Sequence, residues 1–248
     1  DTDGFVRALF PNDQYTCGAG AVSECPSHGL HQHTVPGYFT DQLKLTDGAQ
    51  LIKFAGQLCY LSFGEQRSKN AQASEYLTHI KQSGHGSVLE HYNVSVLLYG
   101  VSRAFTHELV RHRAGFGFSQ VSQRYVAGKH LRFVESPEHQ NDDELHAMFE
   151  TWIDLSQEQY ERREMRLLDK QGMDKPTTEQ RKAVRQEARR CLPNETEAAI
   201  VVTGNLRAWR HFVEQRCSKW ADAEACQAAH AVFTQLQTLE PILWEGYV

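Results

Sequence analysis

Apolar residues recur at helical spacing in several segments of the chain. Between residues 47 and 83 they lie three or four positions apart, and residues 145–155 and 205–239 repeat the pattern. That spacing places apolar side chains on one face of a helix, so these segments are predicted to be helical. The stripe in the second of them comprises Leu145, Met148, Phe149, Trp152 and Leu155.

Two other segments are predicted as strands. In residues 93–100, Val94, Val96 and Leu98 alternate with other residues and share one face, and a glycine closes the run. Residues 122–134 are predicted as a second strand. A few strands among many helices indicate an α+β fold, which we expect to form a single domain.

Helix-end signals mark further boundaries. Ser102 can cap a short helix through Arg103–Val110, which the glycine pair Gly115 and Gly117 would end. Thr177 and Gln180 have the spacing of a capping box, in which each residue satisfies a backbone N–H of the other. We therefore expect another helix to begin there.

The beginning of the chain differs from the rest. Residues 1–45 are rich in Gly, Pro, His and Thr, and we interpret them as an irregular N-terminal extension over a main domain at residues 46–248. No apolar run approaches the roughly 18 residues that span a bilayer, and no basic-then-apolar export signal is found. We expect a soluble, cytoplasmic protein whose six cysteines are reduced.

Residues 101–134 are strongly basic within an acidic chain. They hold a single acid, Glu108, whereas the whole chain has a formal net charge of −5. Clustered arginines attract anions, and the guanidinium fork suits phosphate because it binds two oxygens. The mixture with Gly, Ser, Gln and Tyr favours a phosphate site over a solvated basic surface. The six basic residues are Arg103, Arg111, Arg113, Arg124, Lys129 and Arg132.

Three more polar clusters lie at residues 84–91, 187–193 and 205–216. His85 and His91 in the first cluster are spaced wrongly for a zinc pair on one helix face, so we expect no metal site. The third cluster is a polar stripe at helical intervals. It is either a solvated face or the lining of a cleft for a large polar ligand.

Taken together, these segments resemble the flavin-dependent thymidylate synthases. That family carries Arg-His-Arg, a short spacer and Ser-x-Arg-Tyr, with a His-rich turn ending in Glu-His upstream. Downstream it has a helix with Ala-Arg-x-x-Leu-Pro, then Asn-x-Arg followed by another Arg. In chain order, the matching positions are His85–His91, Arg111–Arg113, Ser122–Tyr125, Ala188–Pro193, Asn205, Arg207 and Arg216.

The resemblance implies a reaction and an assembly. The expected activity is C5 methylation of dUMP to dTMP, with methylenetetrahydrofolate as carbon donor, FAD as hydride carrier and NADPH as reductant. The expected fold has a small, mostly antiparallel sheet flanked by long helices. A homotetramer with active sites shared between subunits is also implied, with no nucleic acid or membrane as partner.

The resemblance also assigns residues. Arg216 is implied as the catalytic residue, whose fixed charge favours the N3-ionised uracil ring. The implied dUMP-binding residues are Glu108, Arg111, Gln120, Ser122, Gln123, Arg124, Arg189 and Arg216. The implied FAD-binding residues are His85, Ser87, Arg111, His112, Arg113, Asn205, Arg207 and His211.

One departure from the family pattern leaves two possible substrate specificities. Eight residues separate Arg113 from Ser122, where the common pattern has seven. A reshaped substrate loop leaves room for a relaxed enzyme that methylates UMP as well as dUMP, as in nucleoside-antibiotic pathways. Cys191 and Cys217 lie beside arginines, but the family uses no cysteine nucleophile, so both are interpreted as packing residues.

Two other classes of protein remain as alternatives. A nucleic-acid-binding module would be expected to have a pI above about 9, whereas the sequence pI is about 6.2. A flavoprotein that oxidises NADPH without methylation would not need Arg189 and Arg216, because those positions serve the nucleotide.

Overall fold

A computed structural model describes residues 45–60 and 72–245 of the chain. All but the last residue of the expected extension at 1–45 lies outside that part. The division into an extension and a domain at 46–248 therefore stays a prediction.

Helices dominate the described chain, and none of those seen at residues 45–60 and 72–245 is long and apolar enough to cross a membrane. The helices are α1 (Asp47–Tyr60), α2 (Ala73–Gln82), α3 (Arg103–Leu109), α4 (Pro137–Gln140), α5 (Asp143–Lys170), α6 (Thr178–Ala188), α7 (Leu206–Arg216), α8 (Ala223–Leu239) and α9 (Pro241–Trp244). Short 3-10 helices lie at Gly86–Glu90, Gly128–His130 and Arg189–Cys191.

Three strands form one small sheet. They are β1 (Asn93–Leu98), β2 (Phe116–Gln120) and β3 (Ile200–Asn205), in the spatial order β1-β3-β2. β2 pairs antiparallel with β3, with Phe118 opposite Val202 and Ser119 opposite Val201. Val202 is fully buried and Val201 is 41% exposed, so one face of the sheet packs on the core. The α+β class with a small sheet is confirmed.

The chain divides into two compact units. The first contains the chain up to Asn93, Asn205–Arg210 and the chain from Phe233 onward. The second contains Val94–Gly204 and His211–Val232. The largest buried side chains of the first unit are Ile52, Leu77, Leu206, Trp209, Leu236, Leu243 and Trp244; those of the second are Phe105, Leu109, Tyr160, Ile200 and Phe212.

A buried carboxylate organises the first unit. Glu240 is 4% exposed and accepts hydrogen bonds from the Thr46 and Tyr92 hydroxyls and from two backbone N–H groups in the first turn of α1. Burial raises the pKa of Glu240, although these hydrogen bonds act in the opposite direction. The same contact contributes, after burial, to raising the pKa of Tyr92 to about 12.

Local signals identified several helix ends correctly. The Ser102 hydroxyl accepts the N–H of Phe105 at 3.1 Å and caps α3. Thr177 and Gln180 form the predicted capping box of α6. The predicted helix at Arg103–Val110 is confirmed as α3, which ends at Leu109, before the glycine pair.

The second predicted strand is also wrong. The N–H groups of Tyr125 and Val126 both donate to the carbonyl of Ser122, at 3.1 and 3.0 Å, which makes a turn. The strand lies upstream, where Gly115 at a φ of 78° leads into β2. The eight-residue spacer therefore contains the whole of β2. β3 was not predicted.

The apolar stripe on α5 lies on a helix as predicted, but it is not buried. Leu145, Met148, Trp152 and Leu155 are 37%, 62%, 48% and 44% exposed. Exposed apolar side chains at helical spacing are typical of a surface that packs against another chain.

Candidate functional site

Glu108, near the end of α3, binds two arginines in the second unit. Its Oε1 accepts a hydrogen bond from Nη1 of Arg111 at 2.7 Å, and its Oε2 accepts one from Nη2 of Arg216 at 3.2 Å. Partial burial acts to raise the pKa of Glu108, but the two arginines outweigh it and lower that pKa below its ordinary value. The carboxylate therefore stays ionised and orients both guanidinium groups.

His112 holds the other side of Arg216. Its Nε2 accepts the Nε–H of Arg216 at 2.9 Å. Because a guanidinium can only donate, this nitrogen carries no proton and the ring proton lies on Nδ1. Burial, followed by the charges of Arg216 and His211, lowers the pKa of His112 below its ordinary value. His112 is therefore a neutral acceptor that orients Arg216 without cancelling its charge.

A carboxylate from α8 fixes the start of α3. Oε1 of Glu224 accepts the backbone N–H of Ser102 at 2.6 Å, and Oε2 accepts the Ser102 hydroxyl in a short hydrogen bond. Glu224 lies in the first turn of α8. This contact positions the helix whose other end carries Glu108.

The segment after β2 contains buried donors that lack an acceptor. Nε2 of Gln120 donates to Oγ1 of Thr106 at 3.1 Å, and Oγ of Ser122 accepts the backbone N–H of Arg124 at 3.3 Å. Nε2 of Gln123 and Nε of Arg124 are buried without a hydrogen-bond partner among the described residues. A buried donor without a partner is unfavourable. A ligand rich in oxygen atoms would satisfy both groups.

Arg124 also lines a cavity of 440 Å³ beside the first two turns of α6, which we call the basic cavity. Nζ of Lys182 lies 4.9 Å from the ring centroid of Tyr125, and a hydrogen bond with Tyr125 raises the pKa of Lys182. The charge and the capped helix N-terminus both suit a phosphate. The basic side chains of the cavity are Arg124, Arg181, Lys182 and Arg185.

Four of the expected FAD-binding residues belong to the first unit. His85 and Ser87 are exposed at the start of a 3-10 helix. Oδ1 of Asn205 accepts a backbone N–H in the first turn of α7 at 2.8 Å, and its side-chain NH2 group makes no hydrogen bond to any residue of the described ranges. Nη1 of Arg207 donates to Oε1 of Glu90 at 2.6 Å.

The other four belong to the second unit. Arg111 and His112 lie in the cluster around Glu108 and Arg216, and the His211 ring centroid is 6.2 Å from that of His112. Arg113 is exposed. Of the expected dUMP-binding residues, Arg189 is half-buried at the end of α6. The side chains of Arg113 and Arg189 make no hydrogen bond or ion pair with any residue in the described part of the chain.

Some residues of this site were not predicted from the sequence. Arg181 and Arg185 stand four positions apart on α6, which is the spacing of neighbours on one helix face and was a usable signal. Glu224 gave no such signal, because its partner Ser102 lies 122 residues away in the chain.

The chain is similar to known proteins that share one name. A family model described as "Thymidylate synthase complementing protein" matches residues 43–242. The chain is 40% identical over 220 residues to a flavin-dependent thymidylate synthase of Mycobacterium sp. (strain JLS), covering 87% of this chain and 86% of the relative. It is 42% identical over 200 residues to that of Mycolicibacterium gilvum (strain PYR-GCK), covering 81% and 80%. The enzyme of that name from Mycobacterium tuberculosis (strain ATCC 25177 / H37Ra) is 42% identical over 201 residues, with the same coverage.

Proposed function

The chain belongs to the flavin-dependent thymidylate synthase family, and on that premise we propose that it methylates C5 of dUMP to form dTMP. It is an enzyme, a methyltransferase. We assign methylenetetrahydrofolate as the carbon donor and NADPH as the source of reducing equivalents. FAD, once reduced, would supply the hydride.

The observation that best supports this proposal is the way in which the Arg216 side chain is held. Its side chain is 19% exposed, and two of its three nitrogens are held by Glu108 and His112. Nη1 makes no hydrogen bond to any residue in the described ranges and is available to a ligand. A fixed cation beside the uracil ring stabilises the negative charge left when N3 loses its proton. That ionisation makes C5 more nucleophilic.

Glu108 and His112 fix the orientation of the Arg216 side chain. Glu108 is ionised and accepts from one terminal nitrogen, while neutral His112 accepts from Nε with its own proton on Nδ1. Two anchors hold the guanidinium plane in one orientation, so little reorganisation is needed when charge develops on the ring. We assign both residues this positioning role.

The nucleotide phosphate would bind at the basic cavity. Arg124 lines it, and the unpartnered Nε of Arg124 and Nε2 of Gln123 supply donors that an oxygen-rich group would satisfy. Gln120, Ser122 and Arg189 complete the proposed dUMP-binding set with Glu108, Arg111 and Arg216. An anion in this cavity would neutralise part of its charge.

The expected FAD-binding residues fit a dinucleotide in their chemistry. Guanidinium groups suit a diphosphate, and the side-chain NH2 group of Asn205 can donate to a carbonyl oxygen or a ring nitrogen. These residues are the proposed contacts for FAD. They are His85, Ser87, Asn205 and Arg207 in the first unit and Arg111, His112, Arg113 and His211 in the second.

Self-association is supported by α5. Its stripe of Leu145, Met148, Trp152 and Leu155 is exposed on the single chain. We propose that the stripe is buried in a homotetramer that shares its active sites between subunits. Light scattering of the purified protein would test this assembly. The cytoplasmic location stays a prediction.

The activity is tested by an anaerobic assay with FAD, NADPH and methylenetetrahydrofolate. Parallel reactions contain dUMP or UMP, and products are identified by mass. We expect dUMP to gain the mass of one CH2 unit, because a methyl group replaces the hydrogen on C5. Equal methylation of UMP would favour the relaxed-specificity enzyme and direct attention to the spacer at residues 114–121. NADPH oxidation with no methylated product would contradict the proposal.

A further inference from the structure

Two thiols and one imidazole meet where α7 is followed by α8. Cys217 comes directly after α7, Cys226 lies in the first turn of α8, and His230 lies one turn later. Nδ1 of His230 is 3.6 Å from Sγ of Cys217 and 3.5 Å from Sγ of Cys226. All three residues belong to the second unit. The two sulfurs thus share one ring nitrogen as a neighbour.

The ring nitrogen between the sulfurs carries a proton. Nδ1 of His230 is 2.9 Å from the carbonyl oxygen of Cys226. A carbonyl oxygen only accepts, so Nδ1 must be the donor. The same N–H lies close to both sulfurs. It would stabilise a thiolate there as the thiolate forms.

These thiols are partly exposed, as Cys191 of the same unit is, but they have different neighbours. The connection between α7 and α8 carries Trp220, which is 85% exposed, and His230 is exposed as well. Cys191, by contrast, directs its S–H to the backbone carbonyl of Ala188 at 3.2 Å. Both Cys191 and Cys217 are interpreted as packing residues from the sequence, but Cys217 differs from Cys191 in having a second thiol and an imidazole nearby.

We propose that Cys217 and Cys226 are a reversible modification site, at which hydrogen peroxide converts the two thiols into a disulfide. The bond requires the sulfurs to approach to about 2.05 Å. Two sulfurs beside one nitrogen can approach by side-chain rotation and a shift of the exposed connection.

The oxidation is balanced in two steps. The Cys226 thiolate attacks one peroxide oxygen, forming S–OH and releasing hydroxide, which takes up a proton as water. The Cys217 sulfur then attacks the Cys226 sulfur, so the S–S bond forms while the S–O bond breaks. The leaving hydroxide takes the Cys217 proton and becomes a second water. Burial, and then the neighbouring Cys226, raises the pKa of Cys217, which fits its assignment to the second step.

The disulfide has a consequence that rests on the proposed function. Cys217 is bonded directly to Arg216, whose contacts with His112 and Glu108 are 2.9 and 3.2 Å long. Tying Cys217 to α8 would pull the end of α7 and disturb both contacts. We expect the oxidised enzyme to lose most of its dTMP formation and to regain it on reduction.

Peptide mass mapping would detect the disulfide directly. Trypsin cleaves after Arg216 and after Lys219, so a disulfide alone would join residues 217–219 to the peptide that begins at Trp220. The full-length protein is treated with hydrogen peroxide, alkylated and digested. We expect the joined peptide, two hydrogens lighter than its parts, and its separation by dithiothreitol.

Matched variants sharpen the result. Cys191→Ser should leave the joined peptide unchanged, Cys226→Ser should abolish it, and His230→Gln should slow its formation. The proposal is overturned if Cys217 and Cys226 stay alkylatable while Cys191 is oxidised. A joined peptide with unchanged activity would contradict the effect on Arg216. Absence of dTMP formation in the reduced enzyme would count against the proposed function and leave the mapping result valid.

Discussion

Arg216 donates its Nε–H to the bare Nε2 of His112 at 2.9 Å, so the imidazole is a neutral partner of a permanent cation. The contact depends on pH in a defined direction. The pKa of His112 is lowered, chiefly by burial, so folding favours the neutral ring. Stability from that ring is present above the ordinary value of 6.5 and is lost as the pH falls through the lower folded-state value.

We therefore expect dTMP formation and thermal stability to fall together on the acid side. Protonation would turn Nε2 into a donor that faces Arg216. His112→Gln keeps an acceptor that does not titrate, so it should remove this step from a melting-temperature profile between about pH 5 and 8. An unchanged acid step in the variant would assign it to another group.

Replacing Arg124 should weaken nucleotide binding. Arg124→Gln removes a cation from the basic cavity, and a charge-assisted hydrogen bond contributes about 1.5–3 kcal/mol, or roughly 10- to 100-fold in the KM for dUMP. Arg190→Gln is the matched control, because Arg190 is exposed and pairs with Glu187 at 3.3 Å. Equal KM values for both variants would exclude the cavity as the phosphate site.

The contact between Glu224 and Ser102 should matter for both stability and turnover. Glu224→Ala leaves the buried Ser102 N–H without its partner, which costs about 1–3 kcal/mol in the free energy of unfolding. It should also lower kcat, because α3 carries Glu108. Glu214→Ala, at an exposed position, serves as the control in urea unfolding and steady-state assays. If the Glu224 variant retains wild-type stability, the contact does not hold α3.

Ionisation of Glu240 should lower the stability of the first unit as the pH rises, which is opposite in direction to the effect of His112. Its folded-state pKa is raised by burial above the ordinary 4.5, so the stability it contributes is present below that value and is lost as the pH rises through the folded-state value. Glu240→Gln cannot ionise. We expect its stability relative to the wild type to improve from about pH 4 to 8 in urea unfolding. A constant difference across that range would disprove the assignment.

Elements with a local signal could be predicted from the sequence. The capping box of Thr177 and Gln180 and the cap at Ser102 involve residues three positions apart, so their hydrogen bonds are encoded within one turn. Glu108 and Arg216 were predicted as site residues from the resemblance to a family. Composition alone would have left it as a basic surface.

Elements that depend on distant partners could not be predicted in this way. β2 contains a glycine and is stabilised by pairing with β3, which lies about 80 residues further along the chain. Residues 122–134 contain enough β-branched and aromatic residues to suggest a strand, but two N–H groups bonded to Ser122 make a turn. The exposure of the α5 stripe likewise depends on what packs against it.

The most direct test of the central claim measures bound FAD and dTMP formation together in the Arg216→Ala variant. We expect the ratio of flavin absorbance to protein to equal that of the wild type, because the expected FAD-binding residues are untouched. The rate of dTMP formation should fall by about 100-fold or more, which is typical of removing one electrostatic stabiliser of a transition state. Normal turnover in a variant with full FAD would contradict the role of Arg216.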